Sequence, residues 1–359
     1  MKKSKLLVIS ALALSGVLAS CGGSKPASSS QEPVSTESTT SAPVSSEETV
    51  EKVVALKDGF KDLSKQELGT DYGMAALNTA EVYVQIEKYT SGIIGKKASE
   101  LNAETKIEGV TIKVGDYAKA VQSAFKKKKA VTLTTDADAD VKFGIGMTAM
   151  FDAKKGEVST YVGGAAVVGT KVAASDFDCI TGTFEIVEEA VAIKANKYQA
   201  AEGSGEALVS KVDLGKDYGM GKDGTAYITN VNNLVAYVNG KTVDEIAAYT
   251  YEEGNIEGVT IVANGLTNAA KEAVAYSQKE VITSKPQAGE DYAIKANTFK
   301  LTAGTTFTGS YGIGYSTSFD AKKGQLTVTT FAGLFDSEGT IKGGRLDVQQ
   351  ISLVAADAQ

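Results

Sequence analysis

The chain has 359 residues, 43% of them apolar, which is room for about two domains of roughly 150 residues with cores of their own. It contains no histidine and no tryptophan, and without imidazole there is no Ser-His-Asp or Cys-His nucleophile, no histidine-ligated zinc or haem, and no side chain that titrates near neutrality unperturbed. A net charge of -7 with a single arginine, Arg345, speaks against a nucleic-acid partner, because the planar fork that suits phosphates and base edges is nearly missing.

Residues 1–20 open with three lysines, Lys2, Lys3 and Lys5, followed by an apolar run from Leu6 to Leu18 that is too short to span a bilayer comfortably. This is the pattern of a secretion leader. It ends in Leu18-Ala19-Ser20-Cys21-Gly22, which resembles the bacterial lipobox. That resemblance makes Cys21 the lipidated first residue of the mature chain and places the protein on the outer face of the cytoplasmic membrane, held by its acyl chains. Residues 21–52 are rich in Ser, Thr, Pro and Glu and offer almost nothing to bury, so they are expected to be a disordered tether.

Beyond the tether, Val82, Ile86, Tyr89 and Ile93 recur at spacings of three and four and predict a helix over 81–94. Tyr117, Val121 and Phe125 predict a second helix from about Asp116. It runs into Lys126–Lys129, read as cations on a solvated helix C-terminus rather than as an anion patch. The stretch 143–164 alternates around Asp152-Ala153-Lys154-Lys155-Gly156 and predicts a β-hairpin with Gly156 at positive φ. Cys179 lies in another alternating stretch and reads as a small buried hydrophobe; with Cys21 lipidated it has no disulfide partner.

The remainder repeats what came before. Leu68-Gly69-Thr70-Asp71-Tyr72-Gly73-Met74 returns as Leu214-Gly215-Lys216-Asp217-Tyr218-Gly219-Met220. Ile107-Glu108-Gly109-Val110-Thr111-Ile112 returns as Ile256-Glu257-Gly258-Val259-Thr260-Ile261, and 144–156 returns as 312–324 with its turn at Gly324. Leu266, Ala270 and Val274 form the second copy's helical stripe. Three blocks in one order define a duplication, repeat module 1 over 53–198 and repeat module 2 over 199–359. The expected class is α+β: two tandem repeats, each with an antiparallel sheet and two or more helices. Because the strand block of the first copy leads straight into the helical block of the second, a permuted pairing is open as well: strands 131–198 with helices 205–278, and 53–130 with 295–359.

Gly109-Val110-Thr111 and Gly258-Val259-Thr260, each followed by an amphipathic helix, resemble the end of bacterial FMN-binding domains, whose signature is Ser/Thr-Gly-Ala-Thr. Glu108 and Glu257 stand first here, and Val110 and Val259 third. The order of DYGM block, helix, Gly-Lys step, a Val-Thr-Ile strand and hairpin also resembles tandem FMN-binding-like repeats of surface lipoproteins and spans nearly all of the mature chain. The resemblance implies FMN esterified through its phosphate to Thr111 and Thr260 by a flavin transferase. Gly109 and Gly258 would admit the phosphate, and Tyr72, Met74, Tyr218 and Met220 would lie against the flavin ring. It further implies electron relay to or from a membrane redox partner, a carrier more than an enzyme, with the chemistry supplied by the cofactor. No catalytic or metal-ligating set stands out. The alternative reading is a non-redox surface lipoprotein acting as a structural, adhesive or solute-binding module, although missing tryptophan weakens carbohydrate recognition.

Overall fold

Four long strands carry the alternation of the repeated hairpin into the structure. In the computed structural model, which describes residues 51–74, 81–279 and 298–358, β3 (Ala139–Asp152) and β4 (Glu157–Val168) turn at Gly156. Their copies β8 (Thr306–Asp320) and β9 (Gln325–Phe335) turn at Gly324, and both glycines sit at φ +59°, the left-handed value such a turn requires. The leader, Cys21 and all but the last residues of the tether lie outside the described residues.

Each hairpin is extended by a long third strand, β5 (Lys171–Val187) or β10 (Ile341–Asp357). Short edge strands complete the sheets: β1 (Lys52–Leu56), β2 (Lys129–Thr134), β6 (Ala190–Ile193) and β7 (Phe299–Leu301). The result is two five-stranded antiparallel sheets, ordered β1-β10-β9-β8-β2 and β6-β5-β4-β3-β7. The class is α+β, as expected, and the described residues belong to one compact unit.

Of the two pairings that the sequence leaves open, the described residues take the crossed one. Helices α2 (Val82–Ile93) and α3 (Gly115–Lys127), from the first copy, pack on strands of the second, where Tyr89, Ile93 and Val121 share a core with Phe331, Phe335 and Leu346. Helices α5 (Ala226–Val238), α6 (Val243–Ala248) and α7 (Asn264–Ser277), from the second copy, cover strands of the first, where Leu234, Leu266 and Val274 meet Val167, Phe177 and Cys179. The inner faces of the sheets pack on each other through Ile145, Val162, Ile313, Val328 and Ile351, giving layers of helix, sheet, sheet and helix. Burying a side chain such as Phe331 or Leu266 stabilises the fold by about 1.5–3 kcal/mol. Cys179 is a fully buried member of the α5–α7 core, as its sequence context predicts.

The repeated Gly-Ile-Gly explains how close these layers come. Ile145 and Ile313 point into the intersheet core, so the flanking glycines face outward beneath a helix. A Cβ on Gly144 would stand 1.8 Å from the carbonyl oxygen of Ala273 in α7, and one on Gly314 would stand 1.9 Å from the amide nitrogen of Ala124 in α3. Here glycine permits helix backbone to lie directly on strand backbone.

One expected element is corrected. Val110–Ile112 and Val259–Ile261 are turns leading into α3 and α7, not strands. Gly109 (φ +73°) and Gly258 (φ +74°) reverse the chain just before them, and their amides are satisfied by a side chain instead of a ladder.

Candidate functional site

The two Gly-Val-Thr turns occupy matching places. In the first, the Gln85 side chain reaches from α2, and its Oε1 accepts from the Thr111 amide (2.7 Å), the Thr111 hydroxyl (3.1 Å) and the Ile112 amide (3.2 Å). In the second, Asn230 of α5 does the same: its Oδ1 accepts from the Thr260 amide, the Ile261 amide (3.2 Å) and the Thr260 hydroxyl (3.4 Å). Both amide side chains are buried, and both threonines are exposed. The N–H groups expected to cradle a phosphate at 111–112 and 260–261 therefore already have acceptors within the protein.

Tyr72 and Met74 border the helix-on-sheet core that also takes Ile107, Val110 and Ile112, and Tyr218 and Met220 border the other core beside Ile261. The Tyr72 hydroxyl donates to Gln350 Oε1 at 3.1 Å, and the Met74 amide donates to Glu81 at 3.2 Å. Tyr218 lies edge-on to buried Tyr227, with ring centroids 5.2 Å apart. Each aromatic–methionine pair thus packs against the same core as its Gly-Val-Thr turn. Neither threonine lines the cavities beside Tyr72, Arg345, Lys300 or Lys126.

A second pair of matching constellations lies where the two halves cross. Ser64 and Ser210 cap the short helices α1 (Lys65–Leu68) and α4 (Lys211–Leu214), each accepting from the amide three residues on. The Gln66 amide donates to Asp347 (3.3 Å) and the Val212 amide donates to Asp178 (3.2 Å), so each copy's short helix is fastened to the other copy's third strand. Burial pushes the Asp178 carboxyl up to about 6, against the pull of Lys127, and pushes Asp347 up to about 7 despite bonds from Ser64 and the Val348 amide. Glu272, which accepts from the Met147 amide (3.0 Å) and the Thr148 hydroxyl (3.1 Å), is raised to about 7 by burial and by nearby Glu67.

Three of the four lysines at 126–129 are used here. Lys127 pairs with Asp213 at 2.6 Å and lies over the Tyr315 ring at 3.9 Å; Lys129 pairs with Asp176 at 2.9 Å; Lys128 bonds the Phe125 carbonyl at 3.1 Å. Only Lys128 does what complementing a helix C-terminus predicts. Lys127 and Lys129 bridge elements, because crossing the halves brings carboxylates of β5 and of the short helix α4 up to the end of α3. Arg345 is likewise internal, spanning Gln66 (2.8 Å), the Tyr276 carbonyl (2.7 Å) and Glu87 (3.4 Å).

Sequence reasoning misses Gln85, Asn230, Asp178 and Asp347. The first two carry a signal, since each is a polar residue set into an otherwise apolar helix face. The aspartates carry one only once the cross-copy partner is known. Gln85→Ala is expected to strand the 111 and 112 amides and cost about 1–3 kcal/mol, read as a lower melting temperature with faster hydrogen exchange confined to the 107–114 turn.

No group of His, Cys, Asp or Glu among the described residues is arranged to hold a metal ion, and no helix among them is long and apolar enough to cross a membrane. No protein-family model matches the chain, and no curated protein is similar to it.

Proposed function

We propose that the chain is a lipid-anchored protein of the outer membrane face, tethered through Cys21, whose interlocked double module is a rigid non-redox body for binding at the cell surface. The observation that carries this reading is how the duplicated motifs are used. Gly-Ile-Gly seats a helix, Ser64 and Ser210 cap short helices whose Gln66 and Val212 amides bond buried aspartates, and the turn at Thr111 or Thr260 is held by a buried amide. Each repeated block serves the fold, which is sufficient reason for both copies to carry it.

A second reading, the FMN carrier, draws support from one feature. The Thr111 and Thr260 side chains are exposed at matching positions before long helices, within reach of a modifying enzyme. Intact mass separates the two. Mature protein co-expressed with a flavin transferase is expected to be colourless and without an FMN adduct. A yellow protein carrying FMN mass that Thr111→Val and Thr260→Val remove would replace the first reading with the second, and a redox partner at the membrane would then be sought.

A further inference from the structure

The duplication is not symmetrical around its two DYGM blocks. Where β1 leaves the β10 edge, the Lys57 amide bonds the Ser352 carbonyl; where β6 leaves the β5 edge, the Lys194 amide bonds the Thr183 carbonyl, so the two exits match. From there the first copy reaches its Ser64 cap directly through 58–63, whereas the second takes the longer course 195–209 to Ser210. The extra chain folds back over Tyr218: Lys197 Nζ bonds the Tyr218 carbonyl at 2.7 Å and sits 4.6 Å from its ring centre, with the Tyr198 ring 6.4 Å away. Among the described residues nothing at Tyr72 corresponds to the Lys197–Tyr198 cover, and a cleft of about 310 Å³ opens there.

The walls of the cleft define what it takes. Gln325, Gln350 and Ser352 alternate with Leu326, Ile351 and Leu353 of the intersheet core, so they stand on the outer face of the sheet. The Gln325 amide nitrogen donates to the Ser352 hydroxyl at 3.3 Å, and Gln350 receives the Tyr72 hydroxyl. This orients two amides and two hydroxyls side by side, with donor and acceptor capacity left over. Phe60 and the Tyr72 ring supply apolar surface beside them. At the rim Lys61 pairs with Asp71 at 3.7 Å, and Lys65, 4.9 Å from the centre of the Tyr72 ring, leaves a single positive charge at the edge. Neutral hydrogen-bonding groups in a row next to an aromatic face complement a sugar ring, which has hydroxyls on its edge and C–H groups on its face. We infer that the Tyr72 cleft is a binding site for a neutral saccharide of one or two rings, present in the first copy and covered in the second. The missing tryptophan is no obstacle, because a tyrosine supplies the stacking face.

This inference deepens the binding-module reading and rests on it. The test titrates the full mature chain with cellobiose and with N,N′-diacetylchitobiose up to about 20 mM, following saturation-transfer difference and Tyr72 ring shifts by NMR. At least one disaccharide is expected to bind. Gln325→Ala and Gln350→Ala are each expected to weaken it about tenfold, Tyr72→Phe to weaken it less, and Lys126→Ala, outside the cleft, to leave it unchanged. Melting curves confirm that each variant is folded, and Tyr72→Phe, which removes a single hydroxyl, preserves a readout if a glutamine variant is not. Absence of binding to both sugars, or equal affinity in wild type and all cleft variants, overturns the assignment. Either result leaves the non-redox reading standing, whereas an FMN adduct in the mass experiment removes that reading whatever the titration shows.

Discussion

Gly144→Ala and Gly314→Ala are each expected to cost about 3 kcal/mol or more, lowering the melting temperature by about 6 °C or more. The reason is geometric. The new methyl would lie 1.8 Å from the Ala273 carbonyl oxygen in one case and 1.9 Å from the Ala124 nitrogen in the other, with Ser277 N and Ala120 O next at 2.6 and 2.5 Å. These are backbone atoms of α7 and α3, so no rotamer change relieves the clash; the helix must lift off the sheet and loosen the core beneath it. Gly92→Ala is the informative contrast. Its methyl would press first on the Ile107 side chain, at 2.4 Å, so that a partly buried side chain and not helix backbone has to shift. Thermal melts followed by circular dichroism should therefore rank Gly92→Ala well above both strand variants in stability. Equal losses at all three positions would contradict the close helix-on-strand contact.

The second large effect is a fall in stability as pH rises. Asp347 is raised from 3.8 to about 7, Glu272 from 4.5 to about 7 and Asp178 from 3.8 to about 6, in each case chiefly by burial. The folded state then holds protons that the unfolded chain releases, at about 1.4 kcal/mol per pKa unit for each group. For a raised carboxyl the stabilisation is complete below its unfolded pKa and is lost as pH climbs through the folded value. The window runs from about pH 4 to about pH 7. The carboxylates held low by local bonds, Asp152, Asp223, Glu245 and Asp320, act only below about pH 4.5 and do not mask the trend between pH 5 and pH 8. The melting temperature at pH 5 is expected to exceed that at pH 8 by several degrees, and Glu272→Gln and Asp347→Asn to flatten the difference. A melting temperature that holds steady or rises over this range would contradict the buried, protonated carboxyls at the crossing.

Much of this architecture is written locally. The hairpins at Gly156 and Gly324 follow from alternation around a turn, and α2, α3 and α7 follow from apolar spacing, because both signals depend only on near neighbours. The Val-Thr-Ile steps mislead for the same reason. β-branched residues favour strands, but Gln85 and Asn230, far off in sequence, capture their amides and hold them as turns. Which sheet each helix covers is not local at all. Both copies carry Gly-Ile-Gly, so the first copy's α3 fits either strand by pattern, and the choice is made by contacts such as Gln66 with Asp347 and Val212 with Asp178. The Tyr72 cleft is equally hidden, since it exists through the difference in length between 58–63 and 195–209.

The crossing of the two copies is tested most directly by a pair of alternative contacts. In protein labelled at alanine methyls and glycine α-carbons, crossed packing predicts nuclear Overhauser effects from Ala124 to Gly312 and Gly314, and from Ala273 to Gly144. Cross-peaks from Ala124 to Gly144 or Gly146 instead, with Ala273 turned to Gly312 or Gly314, would mean that each copy folds on its own strands and would contradict the interlocked body described above.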